Sequence, residues 1–251
     1  MKRIELKKTN HDYKAGDSVP FLEPNIKESC FLCDSGTVVG FFIKDCEEIA
    51  NLTSIANKEL LSKNVPKSTM SRGLGENAVK QFSTIIGGVP KKPHMKRNYT
   101  SVSSVNACKT AKTFLKSMYL VSTKLSEILK RYMPEQYDKQ KHLLSNTKKT
   151  YKIGELFTSS ISNFNISANF HRDNQNIKET VNFIITKRKE STGGNLFVPD
   201  YGACFDQAEN SVLVYPAWRN LHGVTKIRPS SEKGYRNTLV FYALKGFEDE
   251  V

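Results

Sequence analysis

An α+β fold is what the sequence predicts: a jelly roll (double-stranded β-helix) carrying an N-terminal helical layer. Three observations predict it. The first half contains two stretches of helical periodicity. From about residue 153 the chain breaks into short apolar runs separated by turn residues. Neither an internal repeat nor an apolar run of the roughly 18–20 residues that span a membrane interrupts this pattern.

Residues 1–35 read as an irregular N-terminal arm and 36–251 as a single domain, with a helical layer over 36–150 and a jelly-roll core over 151–247. Thr37–Ile43 is β-branched and aromatic, the composition of a buried strand. Beyond Asp45, residues Ile49, Leu52, Ile55, Ala56 and Leu60 recur at helical spacing. Residues 63–106, with three prolines and four glycines, read as a long basic loop suited to contact with an anion. The clearest helix is predicted over 106–132, its stripe running from Ala111 through Phe114, Met118, Val121, Leu125 and Ile128 to Tyr132, with Pro134 beyond its end. Strands are expected over 157–170, 179–187, 194–198, 211–215, 221–227 and 235–245.

The 251 residues are 38% hydrophobic and 25% charged, which suits a globular core. Lys and Arg exceed Asp and Glu by 38 − 25 = 13 charges, a balance that favours a polyanionic partner. The basic N-terminus lacks the apolar stretch of a signal peptide, so a non-secreted, non-membrane protein is expected. Five cysteines at irregular spacing argue against a disulfide framework, and Cys30 and Cys33 form a lone CxxC that reads as two reduced thiols near a strand.

Three features of the second half carry chemistry. His171 and Asp173, two residues apart at the end of an expected strand, point to the same side and can reach one ion. His222 lies 222 − 173 = 49 residues further on, where a returning strand can supply a third ligand. Two histidines and a carboxylate leave one face of a metal open, the arrangement of non-haem Fe(II) oxygenases. Arg236, in a run that alternates Arg236, Thr238 and Val240 on one side, is suited to clamp the distal carboxylate of 2-oxoglutarate. Taken singly, each residue fits a structural role; the ordered set is far more restrictive.

At this point the sequence resembles the TET/JBP family of Fe(II)- and 2-oxoglutarate-dependent pyrimidine dioxygenases, closest to its phage and kinetoplastid side. The resemblance runs over roughly residues 70 to 247. It rests on Ser71-Arg72-Gly73, on Gly88-Val89-Pro90 with Arg97 and Thr100, and on Tyr132 to Tyr137 with Gln140. It continues through Ser162-Asn163-Phe164-Asn165 into His171-Arg172-Asp173, then Gly193 to Pro199, and ends on the run Arg236 to Tyr242. It implies Fe(II), 2-oxoglutarate and O2 as cofactors, with ascorbate as reductant in vitro. It implies His171, Asp173 and His222 as iron ligands, Arg236 and Thr238 as cosubstrate contacts, and Arg97 as a second anion contact. Asn176, with Asn174 beside it, would hydrogen-bond a flipped base, and Arg72 joins them as a substrate candidate. The cysteine-rich region of the animal enzymes and the base-J-binding domain of the kinetoplastid ones are missing from this chain.

The expected activity is hydroxylation of a pyrimidine 5-methyl group in DNA, thymine favoured over 5-methylcytosine and RNA an alternative. The target base would be flipped out or single-stranded, and Tyr201 and Trp218 are candidates to stack on it, with core packing the favoured role for each. A cytoplasmic, nuclear or virus-encoded setting follows. The competing expectations are a prolyl-type protein hydroxylase and a non-catalytic nucleic-acid-binding module.

Overall fold

A computed structural model describes residues 1–70, 81–91 and 99–247. The chain opens with strands β1 (Lys2–Glu5), β2 (Cys30–Asp34) and β3 (Thr37–Ile43), followed by helix α1 (Glu47–Leu61). Strands β4 (Ser68–Met70), β5 (Gln81–Val89) and β6 (Ser101–Val102) come next, then helices α2 (Lys112–Tyr132) and α3 (Pro134–Leu143). The remainder is strand: β7 (Ser159–Phe164), β8 (Ala168–His171), β9 (Asn182–Lys189), β10 (Ser191–Gly193) and β11 (Leu196–Val198). It ends with β12 (Ala203–Phe205), β13 (Val212–Tyr215), β14 (His222–Val224), β15 (Ile227–Pro229) and β16 (Tyr235–Tyr242).

Among the described residues a ten-stranded sheet runs in the order β1-β2-β3-β13-β9-β16-β7-β5-β4, with β6 paired to β5. A four-stranded sheet, β12-β11-β14-β8, faces it, and β10 pairs with β15. The period of two along each strand explains the layering. On β9, β13 and β16, the side chains of Phe183, Ile185, Val212, Val214, Leu239 and Phe241 point to one face, where they meet Phe114, Met118, Val121 and Leu125 of α2. The residues between them, Ile184, Leu213 and Tyr215, point to the other face and meet Leu196, Val198 and Phe205 of the small sheet. A sheet covered on both faces reads as continuous apolar runs, which is how β13 reads.

The boundary of α2 follows from local chemistry. Pro134 drives Met133 out of the helical region (φ −142°, ψ 68°), so α2 stops and Pro134 occupies the first turn of α3. Helix α3 went unforeseen in the sequence, and residues 104–111 are 3-10 turns rather than the start of α2.

Three further expectations are corrected. Residues 1–35 are no irregular arm: β1 pairs parallel with β2, and β2 antiparallel with β3, at the edge of the large sheet. Between them the chain crosses the outer face of the small sheet, where the Phe170 N–H donates to Asp17 O (2.9 Å) and Tyr13 packs on Phe170. The loop expected over 63–106 contains β5, nine residues long and paired to β7 throughout its middle, so strands are also woven through the expected helical layer. The single strand expected over 157–170 is two, because Asn165 adopts φ 53° and turns the chain from the large sheet into the small one. Cys30 and Cys33 lie in β2 as free, buried thiols, as expected.

Leu125 is fully buried where α2 meets the large sheet. Leu125→Ala is expected to lower unfolding free energy by about 2–5 kcal/mol, read from urea denaturation; a loss below about 1 kcal/mol would place α2 outside the core.

Candidate metal centre and cosubstrate pocket

The pairing of β8 with β14 sets His171 directly opposite His222. Their rings lie 4.4 Å apart between centroids. Asp173 follows two residues after the end of β8, and its N–H donates to Ala217 O at 3.1 Å, which draws the turn back toward the small sheet. As a result Asp173 Oδ1 lies 3.6 Å from His171 Nε2 and 4.0 Å from His222 Nε2. The three candidate ligand atoms all lie within 4.8 Å of one another, a spacing that one metal ion can bridge.

Each donor is oriented from behind. His171 Nδ1 donates to Asn169 O (2.7 Å) and His222 Nδ1 to Asn220 O (3.1 Å), which leaves both Nε2 lone pairs facing the shared space. Burial pushes the His222 imidazole down to about 4, so at neutral pH it is a neutral donor. Asp173 Oδ2 accepts from Asn182 Nδ2 at 2.9 Å, while Asn176 Nδ2 donates to Asn182 Oδ1 at 2.8 Å and stands 3.5 Å from Asp173 Oδ2. Those bonds turn Oδ1 toward the histidines. Gly223, next to His222, has no room for a side chain: a Cβ would stand 2.4 Å from Val19 Cγ2 and 3.0 Å from Ala168 O.

These groups open into a cavity of about 470 Å3 between the two sheets. Ile161, Ile184, Leu196 and Val240 supply apolar wall, and Arg236, Thr238 and Gln207 supply polar wall. Arg236 is 2% exposed. Burial, and after it the neighbouring charge of Arg188, brings its guanidinium down to about 9. Its Nη2 donates to Gln207 Oε1, but its Nε and Gln207 Nε2 are buried without an acceptor among the described residues. Asn165, the residue that divides β7 from β8, accepts the Arg236 N–H at 2.8 Å through its side chain and so fixes the strand that carries the guanidinium. Gly194 (φ 67°) lies over it, and a Cβ there would stand 3.1 Å from Arg236 Cδ. A buried cation without an anion is costly, and such a cradle fits a carboxylate.

The structure thus brings together His171, Asp173, His222, Arg236, Thr238, Asn174 and Asn176 around one cavity. Arg72 and Arg97 lie outside the described residues. Tyr201 and Trp218 line no part of this cavity: the Tyr201 hydroxyl donates to Asp34, and Trp218 Nε1 to Thr180 O. Asn165 was noted only as part of the run that carries the family resemblance, and Asn182 and Gln207 went unforeseen. The one available signal was a polar residue opening the apolar run Asn182-Phe183-Ile184-Ile185.

Three side chains that could hold a metal ion at one side of a cavity between two jelly-roll sheets, with a buried guanidinium that meets no carboxylate among the described residues also lining it, fit a non-haem iron oxygenase that uses an anionic cosubstrate. The family model Tet_JBP, the oxygenase domain of the 2OGFeDO superfamily, matches residues 90–245, more than half of the chain, and the chain belongs to that family. Its cofactors are therefore Fe(II), 2-oxoglutarate and O2. The fold is similar to that of NgTET1 in complex with 5mC DNA, with a TM-score of 0.60, 16% identity, and 91% of this chain and 82% of that one covered. A 2OG-Fe(II) oxygenase-family oxidoreductase from Burkholderia pseudomallei aligns with a TM-score of 0.45 and 15% identity, over 80% of this chain and 83% of its own. No curated protein matches the sequence. No helix among the described residues is long and apolar enough to cross a membrane.

Because Asn182 holds Asp173 in place, Asn182→Ala is expected to weaken divalent-metal binding by about 10–100-fold. Titration with Mn(II) under anoxic conditions measures this, and an unchanged affinity would show that Asp173 needs no such support.

Proposed function

We propose that the protein hydroxylates the 5-methyl group of a pyrimidine in DNA, thymine in preference to 5-methylcytosine. In this reading His171, Asp173 and His222 hold Fe(II), and Arg236 with Thr238 receives the distal carboxylate of 2-oxoglutarate. The observation that carries it is the shared cavity, lined both by the three side chains that could hold a metal ion and by Arg236, whose guanidinium meets no carboxylate among the described residues. When bound, iron and 2-oxoglutarate supply the oxidising power that puts one atom of O2 into a C–H bond, the other leaving in succinate alongside CO2.

The residues of the chain do the rest. Backbone carbonyls keep both imidazoles as Nε2 donors, and Asn182 keeps the carboxylate aimed. The apolar wall of Ile161, Ile184, Leu196 and Val240 keeps bulk water from the reacting methyl. Support for a DNA base comes from family membership, from the complex in which NgTET1 was solved, and from the surplus of 13 positive charges, which suits a phosphate backbone. A base must leave the stack to enter such a pocket.

The preference for thymine rests on one amide. Asp173 as a carboxylate is an acceptor only, so Asn182 and Asn176 must turn their NH2 groups inward along the chain that ends on Asp173. Asn176 Oδ1 accepts no hydrogen bond among the described residues, and Asn176 lines the cavity. An acceptor there suits the N3–H of thymine, whereas N3 of cytosine carries no proton.

The purified protein with Fe(II), 2-oxoglutarate, ascorbate and oligonucleotides containing thymine or 5-methylcytosine tests this by mass spectrometry of the digested nucleosides. A 5-hydroxymethyl nucleoside, formed faster from thymine and missing with His171→Ala, is the expected result. Succinate without a modified nucleoside would discard the nucleic-acid substrate, and faster turnover of 5-methylcytosine would overturn the role of Asn176.

A further inference from the structure

Arg236 has a neighbour of the same charge. In the antiparallel register of β9 and β16, Arg188 is its direct partner, so the two side chains leave the same face of the sheet. Like charges placed opposite each other destabilise a strand pair, and here one of the two is almost completely buried. Neither guanidinium has a full set of acceptors. Arg188 Nη2 donates to Gly193 O, in the same Gly193-Gly194 turn that closes over Arg236, but Arg188 Nε is buried with no acceptor among the described residues. Arg236 Nε and Gln207 Nε2 are in the same condition. Three adjoining side chains therefore each keep a buried N–H without an acceptor, and two of them are cations. Unsatisfied buried donors are uncommon in folded proteins, and those of Arg236 and Gln207, which line the cavity, call for an anion there, beside the further positive charge of Arg188. The nearby acids do not fill this role. Glu209 accepts from the Arg188 backbone and pairs with Lys187, and Asp206 makes no hydrogen bond to either guanidinium among the described residues.

We propose that Arg188 and Gln207 complete, with Arg236, the seat of the distal carboxylate of the cosubstrate: Arg236 and Gln207 meet the carboxylate in the cavity, and Arg188, opposite Arg236 in the strand register, positions it and adds a second positive charge. The inference rests on the reading of Arg236 given above. Gln207 Oε1, which takes the Arg236 N–H, occupies a position a carboxylate oxygen would contest. On binding, Gln207 would give its free NH2 to the carboxylate. Arg188 is a positioning residue in this scheme: it neither lines the cavity wall directly nor touches the metal, and it fixes where the far end of a five-carbon diacid comes to rest. A site with two cations for one carboxylate also discriminates sharply against keto acids that lack the distal charge.

Calorimetric titration of the Mn(II)-loaded protein under anoxic conditions tests this without turnover. The probes are 2-oxoglutarate and 2-oxobutyrate, which share the keto-acid end and differ in the distal carboxylate. Arg188→Met is expected to weaken 2-oxoglutarate by about 3–10-fold, the loss of a neighbouring positive charge and of the positioning of Arg236, and to leave 2-oxobutyrate unchanged. Arg188→Lys is expected to restore part of the loss. Gln207→Leu, which keeps the volume and removes the amide, should weaken 2-oxoglutarate by about 3–10-fold and serves if Arg188→Met fails to fold. A folded Arg188→Met that binds 2-oxoglutarate like the parent, or that loses both keto acids equally, would overturn the proposal. Arg236→Met separates the two levels. If it loses 2-oxoglutarate while Arg188→Met and Gln207→Leu do not, only this inference falls. If none of the three loses it, the assignment of Arg236 falls as well.

Discussion

His171 and His222 are partners across the β8–β14 ladder, and most of the site depends on that register. A slip of one residue would turn one imidazole to the outer face of the small sheet, where Phe170 and Leu221 pack with Val19 and Leu22 of the N-terminal segment. The apolar residues flanking the ligands therefore enforce the register. Phe170 and Leu221 must face outward into that cluster, so His171 and His222 must face inward. The glycine at position 223 allows β8 and the N-terminal segment to close on this strand, and the same segment hydrogen-bonds the backbone of Phe170. A stretch with no chemistry of its own thus sets the geometry of the candidate metal ligands.

The second constraint is charge. The cavity face of the large sheet carries Asn182, Arg236 and Thr238, with Arg188 opposite Arg236, on strands whose other face is filled by Phe183, Ile185, Leu239 and Phe241. Alternation lets one strand serve a dry helical interface and a polar cavity at once. Burying Arg236 without an anion costs stability that the apolar face offsets, and its orphaned N–H is open to an acceptor. Rigid placement on strands, rather than on loops, keeps those donors aligned before a ligand arrives.

The parts of this that were legible in the sequence are those with a short spacing. His171 and Asp173 are two residues apart, and Arg236 and Thr238 share an alternating strand, so local periodicity places them. His222 was readable as the third member because it closes an ordered set. The helical periodicity of α1 and α2 was equally plain, since an amphipathic stripe repeats over several turns. What was hidden is what depends on distant partners. β1 and β2 are short, and β1 is exposed, so only pairing with β3 makes them strands. β5 lies among glycines and basic residues that read as a loop, and its partner β7 is far away in the chain. Asn182, Gln207 and Arg188 are single polar residues whose meaning appears only once the sheet places them beside Asp173 or Arg236. The break at Asn165 was concealed because a positive φ at an asparagine leaves no mark in the apolar pattern around it.

The most direct measurement is anoxic visible spectroscopy of the protein titrated with Fe(II) and then with 2-oxoglutarate, because a keto acid chelated to Fe(II) gives a metal-to-ligand charge-transfer band. The geometry of His171, Asp173 and His222 predicts a band that requires both additions and saturates at one iron per chain, and that is lost in Asp173→Ala. Iron that binds without producing the band on addition of 2-oxoglutarate, or a band that survives Asp173→Ala, would contradict the assignment of these three side chains as the metal centre.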